Sequence, residues 1–233
     1  MRRAFELLHR QPLYTGIVEL DGLIGGLRPG ALYVFYGDPS ITDTVLYRVM
    51  VEASRNGPIA YLNNTDYYGE KTLIDANAFS SAAKAAGLEP FTILSAIKCA
   101  AAFNAQRQVH AAERLAEAVR VEGRAGLIAM HNASAFLAGG GEEAYQALVR
   151  SVATLVEVAS EVGAAVVVTA AARGASIDRA KPLLPSQVLH RASAIVFFRL
   201  QRLATGSESC QALLSSGSTG RGSQLPLLVA GHG

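Results

Sequence analysis

Ala31-Leu32-Tyr33-Val34-Phe35-Tyr36-Gly37 runs straight into Asp38-Pro39-Ser40-Ile41-Thr42-Asp43-Thr44, and the reading of the fold starts here. Residues 31–36 are an unbroken apolar run closed by a glycine, the pattern of a strand covered on both faces. An eight-residue stretch, 37–44, leads from it into a helix predicted over 42–56. Working outward, similar short runs predict strands at PIAYLNN (58–64), FTILSAI (91–97), AGLIAMH (125–131), GAAVVVTAA (163–171), ASAIVFFRLQ (192–201), CQALLSS (210–216) and LPLLVA (225–230). Helices are predicted at 69–86, with an interruption near Ala76, and at 104–123 and 142–162. In the second of these, Val109, Ala112, Leu115, Ala116 and Val119 recur at steps of three and four. Asn104 suits its N-cap and Gly123 the position after its end. Short strands alternating with amphipathic helices predict an α/β domain: a twisted, mainly parallel sheet with helices on both faces and an antiparallel C-terminal extension. No Pro- or Ser-rich linker splits the chain before residue 174, so an N-terminal segment (1–14) precedes one core domain (15–233).

Composition narrows the function classes. The chain has 233 residues, half of them hydrophobic, with 21 basic and 19 acidic side chains and a net charge of +2, which advertises no polyanionic partner for the molecule as a whole. The charge is uneven: residues 171–202 hold Arg173, Arg179, Lys181, Arg191, Arg199 and Arg202 against Asp178 alone. The two cysteines, Cys99 and Cys210, form no metal-ligand pattern or disulfide framework, and Cys99, beside small alanines, reads as a packed thiol. The N-terminus MRRAFELLHRQPLY lacks the apolar run of a secretory signal, and no stretch reads as a membrane span. A cytoplasmic location and no membrane partner are the expectation.

The 37–44 stretch stands where a phosphate-binding loop stands, between a buried strand and a helix. A working loop of the form GxxxxGK[ST] wraps phosphates with backbone amides, neutralises them with the Lys and ligates magnesium through the final hydroxyl. Gly37 and Thr44 fit this pattern; Thr42 replaces the second Gly and Asp43 the Lys. Asp43 reverses the local sign. Two like charges about 4 Å apart repel by roughly 4 kcal/mol in a surface-like dielectric, and the missing attraction of the Lys adds a similar amount. Asp38 brings a second carboxylate. Nucleotide binding weakens by orders of magnitude unless a metal ion or a partner's arginine intervenes.

The flanks carry a family resemblance. TGIVELDGLIGGLRPGALYVFYGDPS (15–40), with Thr15-Gly16, Leu20-Asp21, Leu23-Ile24-Gly25-Gly26 and Gly30, is similar to the segment that leads into the core of the RecA, RadA and KaiC superfamily. Ala100-Ala101-Ala102-Phe103-Asn104-Ala105-Gln106-Arg107-Gln108 resembles the A-R-A-[FY]-N-[ST]-x-H-Q motif of archaeal and eukaryotic recombinases, which favours the RadA branch with its short archaeal paralogues. The resemblance covers roughly residues 13–205. It implies a RecA-like fold, with ATP and magnesium as the family's cofactors, yet the family's remaining catalytic positions are also altered. Thr65 stands where the family has the Glu that orients the attacking water, followed by Asp66. His131 stands where the strand-end Asp holds the magnesium shell, and Ala171 where a Gln senses the γ-phosphate. Neutral imidazole is a poor ligand for a hard cation. The degenerate pocket therefore comprises Gly37, Asp38, Pro39, Ser40, Thr42, Asp43, Thr44, Thr65, His131 and Ala171. It is expected to need no cofactor and to hydrolyse nothing.

By the same resemblance, the loop after the fifth strand is where recombinases contact single-stranded DNA, which nominates Arg173, Arg179 and Lys181 for a phosphate backbone. No aromatic lies within that loop to stack on a base. Recombinases also polymerise through an aromatic-x-x-Ala plug. Here Phe5 is followed by Leu8 in place of the Ala, so Phe5, Leu7 and Leu8 are expected to make a heterotypic contact with an active recombinase or another paralogue. The resemblance thus implies a recombinase paralogue that assists recombination or repair. The alternatives are a weak ATPase completed by a partner subunit and a KaiC-like scaffold without DNA. His131 is expected as a hydrogen-bonded rim histidine, Glu142 and Glu143 as first-turn acids complementing a helix dipole, and Tyr67-Tyr68 as one packed and one exposed ring. Arg191, Arg199 and Arg202 are expected as edge charges against mispairing.

Overall fold

A computed structural model describes residues 11–65, 74–174, 180–202, 208–214 and 224–227. Their elements run α1 (Val18–Ile24), β1 (Leu32–Gly37), α2 (Pro39–Ala53), β2 (Ile59–Asn64), α3 (Ala76–Ala85), α4 (Pro90–Ala96), β3 (Lys98–Ala102), α5 (Ala105–Glu122), β4 (Leu127–His131), α6 (Gly141–Val162), β5 (Ala165–Arg173), β6 (Lys181–Pro182), α7 (Ser186–Arg191), β7 (Ala192–Arg202), β8 (Glu208–Leu214) and β9 (Gln224–Leu227). The strands order as β3-β2-β4-β5-β1-β7-β8-β9, with the short β6 folded back on β5. All pairings from β3 through to β7 are parallel; β7–β8 and β8–β9 are antiparallel. The expected α/β architecture, with an antiparallel C-terminal extension, is thus present.

Alternation along the strands builds two cores. Tyr33, Phe35, Ile59, Tyr61, Ala129, Val167 and Phe198 face α1 to α4, while Val34, Tyr36, Leu62, Met130 and Val168 face α5 to α7. β1 is buried along its whole length, because both its neighbours and both helix layers cover it. Phe35 meets Phe198 of β7 edge to face at 5.4 Å, which fastens the first strand to the extension. The stretch that leads into β1 is a turn scaffold: Thr15 N–H donates to Asp21 Oδ1 at 2.8 Å, and Gly25 in the left-handed region (φ 72°) ends α1. Burial raises the Asp21 carboxyl above its ordinary range.

Three expectations are corrected here. FTILSAI is a helix, α4, because Pro90 occupies its first turn and Glu89 caps it by accepting from Thr92 N at 2.7 Å. Ile93 and Ile97, four apart, then face one core. The third strand is instead Lys-Cys-Ala-Ala-Ala at 98–102, poor in β-formers and held by its register with β2. Cys99 is exposed on that strand at the end of the sheet, whereas Cys210 is buried, and burial pushes its thiol up to about 11. Arg199 lies on β7, an interior strand, and bonds Gln211 of β8 at 2.9 Å, so it does not guard an edge; Arg191 closes α7. In the segment 69–86, expected as a helix interrupted near Ala76, a helix does start at Ala76 with Asp75 as N-cap; residues 66–73 lie outside the described residues.

Gly37 ends β1 at φ 135°, and a Cβ there would collide with the Phe198 carbonyl of β7. Gly37→Ala is expected to cost about 3 kcal/mol, seen as a lower urea midpoint at unchanged slope. Gly139→Ala, also at positive φ (82°) but in open space, should cost only about 1 kcal/mol. Equal losses would contradict the close approach at Gly37.

Candidate functional site

The carboxyl ends of β1, β5, β4 and β2 lie side by side, so Gly37, Ala171, His131 and Asn63 form one rim of the sheet. In open α/β sheets this rim is where ligands bind. What the side chains do there differs from a phosphate site in three ways.

First, the expected loop is absent. Asp38 is the N-cap and Pro39 the first residue of α2, so residues 39–44 are already helical and no backbone loop exists to wrap a phosphate. Asp38 Oδ1 accepts from Ser40 N at 2.9 Å and from Ser40 Oγ at 2.7 Å, placing the protein's own carboxylate on the helix N-terminus. Second, the hydroxyls are turned inward. Thr42 Oγ1 donates to the carbonyls of Asp38 and Pro39, both at 3.1 Å, and Thr44 Oγ1 donates to the Ser40 carbonyl at 2.8 Å. Thr44 is thus tied into the helix at the position where a phosphate-binding loop would carry its magnesium hydroxyl.

Third, the two most discordant residues pair with each other. Asp43 Oδ1 lies 2.7 Å from His131 Nε2, and His131 Nδ1 lies 2.6 Å from the Tyr61 hydroxyl. The Tyr61 hydroxyl is bonded to that of Tyr47, which accepts from Asp75 N at 3.1 Å. The hydrogen bonds thus run in one line from Asp75 N–H through the Tyr47 and Tyr61 hydroxyls to the two ring nitrogens of His131 and on to Asp43. Burial raises both phenols above their ordinary range, so they remain donors. His131 is aimed by the turn that follows it. Asn132 adopts φ 53°, its N–H donates to Thr169 Oγ1 at 2.8 Å, and its side-chain amide donates to the Asn64 carbonyl at 3.2 Å. With both imidazole nitrogens engaged and Tyr61 fully buried, the group is a line that ties α2 to β4, β2 and α3. His131 is mostly covered within it, while the Asp43 carboxylate is a third exposed.

The remaining expected residues separate. Thr65 N–H donates to the Ala102 carbonyl at 3.0 Å, and Ala171 N–H donates to Ser134 Oγ at 2.9 Å. The side chain of Asn64, fully buried at the end of β2, has neither its nitrogen nor its oxygen hydrogen-bonded. Glu142 and Glu143 do lie in the first turn of α6, as expected. Arg173 and Lys181 face each other across the β5–β6 pairing, both exposed, and Tyr36 anchors the hairpin by donating to the Ala180 carbonyl at 3.2 Å. Like charges directly opposite on antiparallel strands repel, so this pair is a ready seat for an anion. Arg179, Phe5, Leu7, Leu8, Asp66, Tyr67 and Tyr68 lie outside the described residues, as does the side chain of Arg202.

The roles of Tyr61 and Tyr47 escaped the sequence reading. The available signal was that the departures at 43 and 131 are complementary: a cation position became acidic as an acid position became imidazole. Residues for ATP and magnesium do not fit here, since the amides, hydroxyl and carboxylates that would hold them are engaged by one another. Among the described residues, no group of three or more His, Cys, Asp or Glu side chains is arranged to hold a metal, and no helix is long and apolar enough to cross a membrane. No model of a known protein family matches the chain, and no curated protein does either.

Tyr61→Phe is expected to cost about 1–2 kcal/mol by leaving His131 Nδ1 unsatisfied in a buried site. In a double-mutant cycle with His131→Ala the two losses should couple by about 1 kcal/mol. The Asp43→Asn loss should be smaller, since that carboxylate is a third exposed. Strict additivity of Tyr61→Phe and His131→Ala would remove the line as a cooperative unit.

Proposed function

We propose that this chain is a RecA-like domain that no longer hydrolyses ATP and acts by binding: a recombinase paralogue that assists homologous recombination or DNA repair by holding the active recombinase, single-stranded DNA, or both. One observation carries the reading. Asp43 and His131, at the positions where the family has its phosphate cation and its metal acid, satisfy each other at 2.7 Å. The two replacements are mutually complementary, each supplying the other's partner, which supports retention of the scaffold for another use. The parallel sheet with its antiparallel extension and the motif residues folded around Asp21 are consistent with the RecA-like assignment. The exposed Arg173–Lys181 pair supports the nucleic-acid contact.

Two measurements test it. Titration calorimetry with ATP and magnesium should give no binding in the micromolar range; micromolar affinity would overturn the non-hydrolysing reading in favour of an ATPase completed by a partner. Filter binding to single-stranded DNA across a salt series should give a steep slope. Arg173→Ala and Lys181→Ala should each lower that slope by about 0.7. Absence of binding at low salt would remove DNA as a direct ligand.

A further inference from the structure

We propose that the cavity between α6, the β5–β6 hairpin and α7 receives a single base of a single-stranded nucleic acid. This inference rests on the nucleic-acid reading above and gives it the stacking surface that the loop sequence lacks. The cavity holds about 260 Å³ and is lined by Glu142, Tyr145 and Gln146 of α6, Arg173 of β5, and Leu184 and Gln187 near the start of α7. Tyr145 is far from the hairpin in sequence, but the packing of α6 against α7 and the sheet brings it beside Arg173.

Three properties select a base. The aromatic ring of Tyr145 is half-buried, packed on one side against the core shared by α5 to α7, which holds it as a fixed platform. Base-on-aromatic stacking is tolerant of sequence because every base has a π-face. The floor is apolar, with Leu184 buried, while the carboxamides of Gln146 and Gln187 stand at the walls to meet donor and acceptor groups on a base edge. Arg173 and Glu142, of opposite charge, both line the cavity, and Glu142 accepts from Gln146 Nε2 at 2.6 Å. The interior therefore suits an uncharged ring, whereas a phosphate falls on the outer Arg173–Lys181 pair. The volume lies below the roughly 300–1,000 Å³ of ordinary small-molecule pockets. It therefore suits one ring and excludes a whole nucleoside triphosphate.

The test is fluorescence anisotropy on the full chain at low salt, comparing labelled oligo-dT with an abasic phosphodiester strand of the same length. Oligo-dT should bind about tenfold more tightly, the contribution of roughly one stacked base. Tyr145→Ala should abolish that preference and Tyr145→Phe should retain it, while Arg173→Ala should weaken both strands and flatten the salt slope. Since Tyr145→Ala removes a half-buried ring, photocrosslinking of a 5-iodouracil strand to the unaltered chain supplies an independent readout: the adduct should map to Tyr145. Equal affinity for the two strands, or an adduct elsewhere, would overturn the base site and leave the nucleic-acid reading standing. If neither strand binds, both fall.

Discussion

A single line of hydrogen bonds runs from Asp75 through Tyr47, Tyr61 and His131 to Asp43, and the ligand-facing rim of the sheet depends on it. Its five members come from four elements: the cap of α3, β2, the end of β4 and, one turn apart, two residues of α2. A phenol buried as deeply as Tyr61 requires a partner, since an unsatisfied buried hydroxyl costs more than the bond itself contributes. Meeting that requirement fixes the imidazole, and the imidazole fixes Asp43. The helix is then held with its N-terminus closed by Asp38, so at this rim Asp38, Thr42, Thr44 and His131 are engaged by other groups of the chain.

The near-neutral net charge conceals two opposed local fields. At the rim, Asp38 and Asp43 make the helix start acidic, and their charges are used internally. At the end of β5, the strand between β4 and β1, the β5–β6 hairpin sets Arg173 against Lys181 with no opposite charge in their register. The first arrangement disfavours an anion and the second favours one, within one sheet edge. Only the arrangement in space gives the two halves of the charge balance their separate meanings.

Periodicity was a good guide wherever burial on both faces imposed it. Leu32–Gly37, Ile59–Asn64 and Leu127–His131 read as continuous apolar runs because each lies between two strands and two helix layers. It failed at 91–102, where intrinsic preference and tertiary context disagree. The β-branched residues of FTILSAI suggest a strand, but Pro90 and the Glu89 cap start a helix there. Lys98–Ala102 has little tendency to extend by itself and becomes a strand by pairing with β2. The same limit applied at the site. Asp43 and His131 were each legible as departures from a phosphate-binding pattern, but 88 residues separate them, and no local rule predicts their contact.

What the amino-acid order settled alone was the alternation of strands and helices, the glycine that ends β1, and the loss of a cation at position 43. These follow from hydrophobic period, backbone freedom and charge, which act over a few residues. Tertiary structure decided that the two discordant residues pair with one another and that Tyr145 and Arg173 come to line one cavity. These outcomes depend on which distant groups share a buried, low-dielectric space. There an unpaired polar group is costly enough to choose its partner, and that choice exists only once the sheet has assembled.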